Sequence, residues 1–201
     1  MTITSVRYRT YKDYLYSDLG PDGNYRLLSN GEVVELPPED EENIRIATEL
    51  LFVIGQFVKP RTLVRTGSTE VQVRPVGDGS VNRKPDLMVL RPEHIDLLAE
   101  IRKSAILLGM PAPAFVAEVV SPGSTQSDNY RRDYEWKNQQ YQELGIPEYW
   151  IIDRHRQQVT VLILKDSAYI EQLYKDKEKV QSEAFPEINL SAAQVLLAQD
   201  I

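Results

Sequence analysis

Three residues of this sequence could act together on a substrate: Asp86, Glu118 and Lys137. Glu118 is set in an apolar, β-branched run, residues 114–122, flanked by Pro111 and Pro113 on one side and closed by Pro122-Gly123 on the other. Such a run reads as a strand buried on both faces. An unpaired charge in that setting is expensive. Two readings are open: Glu118 reaches water at a strand edge, or a metal ion or a lysine compensates it. Asp86 follows Pro85 near the start of a second buried-type strand, residues 83–90; a proline is tolerated at a first strand position, where a ladder donor can be spared. The two strands can be sheet neighbours with both carboxylates near one end. Carboxylates that close repel and drive their pKa values apart unless a cation lies between them. All-oxygen ligands suit Mg²⁺ or Mn²⁺, with waters completing the shell. A lysine beside the ion can orient or activate a water, or stabilise charge developing on a phosphate. Two carboxylates, one divalent cation and one lysine form a minimal set for phosphodiester cleavage.

The elements that must position this set follow from periodicity. Tyr130, Tyr134, Lys137, Tyr141 and Leu144 recur at helical spacing within residues 129–144, and the positions between them are polar. The stripe should face the sheet, with Gly145 and Pro147 ending the helix. Lys137 then lies in the middle of the buried face. It either snorkels out past its neighbours or points back at a carboxylate, and Glu118 is the carboxylate that lacks a partner.

Upstream, Tyr11, Tyr14, Leu15 and Leu19 predict a short helix within residues 8–19, followed by a turn at Gly20-Pro21-Asp22-Gly23. Asn30-Gly31 between the strand-like runs 25–28 and 32–36 predicts a hairpin, because both residues tolerate positive φ. An acidic start at 37–42 leads into a helix with Ile44, Ala47, Leu51, Ile54 and Val58 as its apolar stripe, ended by Lys59-Pro60. A strand at 69–74 and a helix at 92–109 come next. A turn at 121–125, strands at 149–153, 159–164 and 169–174, and a terminal helix at 191–198 capped by Ser191 complete the chain. No repeat or interdomain linker interrupts it. One domain over residues 1–201 is expected, the helix and hairpin of 8–36 leading into a core of 38–190.

Composition narrows the classes. With 42% hydrophobic and 26% charged residues the chain should fold. The absence of cysteine excludes disulfides, thiolate nucleophiles and Cys-bound zinc. The N-terminal residues lack the apolar core of a signal peptide, and no apolar run approaches the ~20 residues that span a bilayer. A cytoplasmic protein with no membrane partner is therefore expected. The net charge of −7 argues against a protein that holds DNA tightly and passively, since such binding rests on basic surfaces that release counterions. It is compatible with an enzyme that has acidic metal ligands and a local basic patch.

Pro85-Asp86, then Glu118-Val119-Val120-Ser121-Pro122, then Asp133, Lys137 and Tyr141 at four-residue spacing, then Gly145-Ile146-Pro147-Glu148-Tyr149-Trp150-Ile151-Ile152-Asp153 form an ordered set of motifs. In these motifs, from about residue 10 to about 190, the sequence resembles the Uma family of restriction-endonuclease-like proteins, part of the PD-(D/E)XK nuclease superfamily. The resemblance implies an α/β (α+β) fold, a mixed central sheet flanked by helices, with the site at one end of the sheet. It implies a DNA endonuclease dependent on Mg²⁺ (or Mn²⁺), with Asp86 and Glu118 as metal ligands. The superfamily's usual lysine, two residues after the second acid, is Val120 here; the resemblance makes Lys137, on the helix, its replacement. Glu32 is an additional acidic candidate and Tyr141 a hydrogen-bonding one, with a core role as the plainer reading for Tyr141, Tyr149 and Trp150. A double-strand cut would suit a two-fold homodimer. The rival expectation is a non-catalytic binding module in which Asp86, Glu118 and Lys137 form only a structural ion cluster. A third is a hydrolase of a small phosphorylated compound, which a pocket too narrow for a duplex would favour.

Overall fold

A six-stranded mixed sheet carries both carboxylates and receives the lysine from a helix packed across it. The structure is a computed structural model that describes residues 2–21, 23–121 and 126–198, with side chains from residue 6 onward. In chain order the elements are β1 (Thr2–Arg7), α1 (Tyr11–Leu15), β2 (Tyr25–Leu27), β3 (Glu32–Glu35), α2 (Glu41–Ile54), β4 (Val64–Arg65), β5 (Glu70–Gln72), β6 (Asn82–Arg83), β7 (Leu87–Val89), α3 (His94–Ile101), β8 (Ala105–Ile106) and β9 (Phe115–Val119). There follow α4 (Asp128–Arg131), a π-helical turn (Arg132–Trp136), α5 (Lys137–Leu144), β10 (Glu148–Asp153), β11 (Gln158–Lys165), β12 (Ala168–Lys175) and α6 (Ala192–Leu197).

The large sheet runs β12-β11-β10-β9-β7-β4. Its β9–β10 pair is parallel and its other pairs are antiparallel. Two three-stranded sheets, β1-β3-β2 and β6-β5-β8, flank it. Every residue of β9 and β10 is buried, which agrees with the apolar runs that predicted them. The core joins these strands to α2, the 141–151 segment and α6, and Ser191 caps α6 as expected. No helix among the described residues is long and apolar enough to cross a membrane.

Three expectations are corrected. Helix α2 buries Asn43, Ile46, Ala47, Leu50, Val53 and Ile54, while Ile44 is exposed and Leu51 only half-buried. Apolar residues cover most of that helix, so periodicity admits two adjacent stripes, and the fit against the sheet selects one. The segment 83–90 is two strands in two sheets, β6 and β7, separated by Lys84-Pro85-Asp86; a proline has no ladder donor to carry one strand across the junction. The helix of 92–109 ends at Ile101, because Arg102 adopts a left-handed conformation (φ 54°) and the chain turns into β8. Strand β1 was not expected. The turns at 20–23 and 121–125 fall partly outside the described residues, at Asp22 and at 122–125.

Candidate functional site

The antiparallel pairing of β7 and β9 matches Leu87 with Ala117. One residue further, that register sets Asp86 opposite Glu118 at the end of the sheet. The Val119 N–H donates to Asp86 Oδ2 at 2.6 Å, so Asp86 is fastened to the strand that carries its neighbour. Glu118 is only 1% exposed. It does not reach water at a strand edge. Lys137 Nζ lies 2.8 Å from its Oε2, and the Tyr141 hydroxyl donates to its Oε1 at 2.5 Å.

Lys137 is held from a second side. Asp133, equally buried, approaches its ammonium at 2.9 Å and also takes the Arg132 guanidinium at 3.3 and 3.4 Å. Arg132 reaches back to the Asn129 side chain at 3.1 Å. The helix achieves this by widening into the π turn between α4 and α5. Such turns are rare and concentrate at functional sites. Here the extra residue rotates the face that meets the sheet: Asp133, Gln140 and Tyr141 are buried. Tyr134, expected in the stripe, packs against the core and donates its hydroxyl to Asp153 on β10, while Tyr130, also expected there, stacks on its outer side with ring centroids 4.5 Å apart.

The electrostatics follow from burial. Desolvation, and after it the charge of Glu118, pushes the Asp86 carboxyl well above its usual range. Desolvation opposes the charge of Lys137, but Asp133 and Glu118 outweigh it and hold the ammonium above its usual pKa. Asp133 is held below the usual carboxylate range because Lys137 and Arg132 outweigh its burial. Asp86 is thus the member short of positive charge.

Asp86, Glu118 and Lys137 line one cleft of about 300 Å³, together with Arg26, Arg83 and Arg132. A neighbouring cavity of about 340 Å³ shares Asn24, Glu39, Lys84 and Asp86 with it. Among the described residues no group of three or more His, Cys, Asp or Glu is placed to hold a metal. Two facing carboxylates with adjoining open volume still fit a hard divalent cation. Mg²⁺ commonly takes one or two carboxylates and completes its shell with water, and the raised pKa of Asp86 marks the place where a cation would relieve repulsion.

Other candidates lie elsewhere. Glu32 is not brought to the cleft; on β3 its carboxylate meets Arg7 and Asn30. Val120 is buried, and its N–H donates to the Ile152 carbonyl. Tyr141 combines its two readings, being fully buried and bonded to Glu118. Tyr149 and Trp150 are fully buried. Sequence reasoning placed Asp133 in the motif, four residues before Lys137, but gave it no role, and it missed Arg132, Arg26 and Arg83. The arginines of the hairpin and the small sheet had no readable signal.

The sequence matches the family model Uma2, described as "Putative restriction endonuclease", over residues 10–193. No curated protein has a significantly similar sequence. The fold is found among solved structures. One is the crystal structure of a "putative nuclease belonging to DUF820" from Anabaena variabilis, which is 21% identical with a TM-score of 0.57, over 87% of this chain and 89% of that one. The mixed sheet flanked by helices is therefore a nuclease-type fold, as expected.

Proposed function

This chain belongs to the Uma2 family of restriction-endonuclease-like proteins, and from that premise we propose that it is a divalent-metal-dependent nuclease that hydrolyses DNA phosphodiester bonds. One observation carries the reading: Asp86 and Glu118 face each other across the β7–β9 pair at a cleft, with the Lys137 ammonium on Glu118.

Asp86 and Glu118 would hold the cation, Mg²⁺ or Mn²⁺. When bound it supplies Lewis-acid polarisation of the phosphate and a more acidic water. The other roles belong to the chain's own groups. Lys137 is held protonated by Asp133 and Glu118, so it serves as a fixed positive donor that orients the attacking water and stabilises charge growing on the phosphate. The 2.8 Å contact to Glu118 supports its standing in for the strand lysine that Val120 lacks. Tyr141 fixes the rotamer of Glu118 through Oε1. A two-fold pair of copies would bring two such clefts to the two strands of a duplex.

Plasmid cleavage with Mg²⁺ tests this. Asp86→Asn and Glu118→Gln should each lose at least about a hundredfold in rate, the scale of one electrostatic group at a reacting centre, with unchanged circular dichroism. Full cleavage by either variant rejects the assignment. A second reading, a non-catalytic module, is favoured by the fact that Lys137 and Tyr141 already occupy both oxygens of Glu118. Titration calorimetry with Mg²⁺ and Mn²⁺ separates the two: heat that disappears in Asp86→Asn supports the nuclease, and no heat at all supports the module.

A further inference from the structure

The cleft that holds Asp86 and Glu118 is also lined by three arginines, Arg26, Arg83 and Arg132. The arginines come from three separate parts of the chain: β2, β6 and the π turn. We infer that Arg26 and Arg132, backed by Arg83, seat a backbone phosphate of the nucleic acid beside the carboxylate pair. The inference rests on the nuclease reading and assigns the substrate contact that reading lacks.

Counting donors against acceptors shows which groups are left for an anion. Asp78 serves two guanidiniums at once: Arg26 Nη1 at 3.1 Å, and Arg83 through Nη1 and Nη2 at 3.2 and 3.0 Å. It also accepts the Ser80 N–H at 3.1 Å, so its capacity is used. Asp133 is shared between Arg132 and Lys137, and Glu118 takes Lys137. Asp86 also acts on the Lys137 ammonium through its charge, so the four cations (Arg26, Arg83, Arg132, Lys137) face four carboxylates (Asp78, Asp86, Asp133, Glu118), and what is left over is donor capacity, not charge. Arg83 is locked in place, its side chain 2% exposed and its Nε donating to Gln140 at 2.7 Å. Arg26 and Arg132 are each 13% exposed. Arg26 Nε and Nη2 have no partner among the described residues. Burial, and then the neighbouring charge of Arg83, lowers the Arg26 guanidinium to about 10. Guanidinium forks match phosphate oxygens in pairs, and an anion between Arg26 and Arg132 would take up the donors that Arg26 has left.

A purely structural role, tying the β2–β3 hairpin to the loop of Asp78, predicts no effect on the salt dependence of binding. The test is therefore the affinity of a short fluorescein-labelled DNA duplex, read by anisotropy in Ca²⁺ across roughly 50 to 200 mM salt. Arg26→Gln should weaken binding about tenfold for any sequence and reduce the slope of log K against log salt by about one. Arg26→Lys should restore much of the slope. Arg132→Gln should act in the same direction and carries the test if Arg26→Gln fails to fold. Inorganic phosphate should compete for the wild type more strongly than for Arg26→Gln. An unchanged affinity and slope in both glutamine variants overturns the seat. Phosphate binding without duplex binding overturns its assignment to a backbone phosphate. If slope and affinity respond as stated but the wild type never cleaves with Mg²⁺, the seat stands and the nuclease reading falls. If the wild type cleaves while both variants bind normally, the nuclease reading stands and the seat falls.

Discussion

Glu118 and Glu148 lie on neighbouring parallel strands at opposite ends, the first near the end of β9 and the second at the start of β10. Both are 1% exposed. Among the described residues Glu148 is met only by neutral donors: Trp150 Nε1 and Ser182 Oγ at 2.7 Å, and the backbone N–H groups of Glu183 and Ala184 at 2.8 and 2.7 Å. Those bonds fasten the 182–185 turn to the sheet. Glu118 is met by a tyrosine and a lysine, faces a second carboxylate and opens on a cleft. Equal burial of the same side chain therefore says little about its role. Fixed dipoles that use up a carboxylate make a structural clamp. An ammonium shared with a second carboxylate, beside open volume, leaves a carboxylate able to take a cation.

The strongest way to break this contrast is to exchange the phenotypes. Glu148→Ala strands four donors in the interior and should cost about 3–5 kcal/mol, read as a lower urea midpoint. Glu118→Gln keeps an acceptor for Tyr141 and leaves Lys137 on Asp133, so it should cost only about 1 kcal/mol while removing cleavage. Comparable stability losses in both would erase the distinction. Next, Lys137→Met leaves Glu118 without its cation and Asp133 with Arg132 alone. We expect a loss of about 2–3 kcal/mol, below the full cost of breaking a buried pair because the amine is partly exposed; added Mg²⁺ should recover part of it in a thermal melt.

Gly77 sharpens the contrast from beside the cleft's arginines. It adopts φ +47°, and a Cβ there would lie 2.2 Å from the ring of Trp136 in the π turn. Gly77→Ala should cost about 1–3 kcal/mol in denaturant titration, because both the backbone and a rigid indole resist it, and it would displace the adjoining Asp78. A wild-type midpoint would show that the loop yields freely. The smallest effect concerns Glu70, a third buried carboxylate, held by the hydroxyls of Tyr11 and Tyr14 at 2.9 Å each. Burial raises its pKa above 4.5, more than those bonds lower it. The folded state then binds a proton that the unfolded chain has released, so this contribution is complete below about pH 4.5 and is lost as pH rises through the folded value. Glu70→Gln should flatten that part of the stability–pH curve; an unchanged slope would refute the shift.

The hairpin, the three C-terminal strands, the capped last helix and the buried type of the strand that carries Glu118 were legible in the amino-acid sequence, because alternation, turn chemistry and apolar runs are local signals. Helical spacing also put Lys137 on the buried face, but left open whether it snorkels out or meets Glu118. Only the tertiary structure decided the rest. It chose which stripe of α2 is buried, divided residues 83–90 between two sheets and widened the helix so that Asp133 joins Lys137. It also gathered Arg26, Arg83 and Arg132 at one cleft. Periodicity within a segment reports which face seeks cover. The meeting of charges from separate segments depends on how those covers fit together, and local sequence carries no record of that.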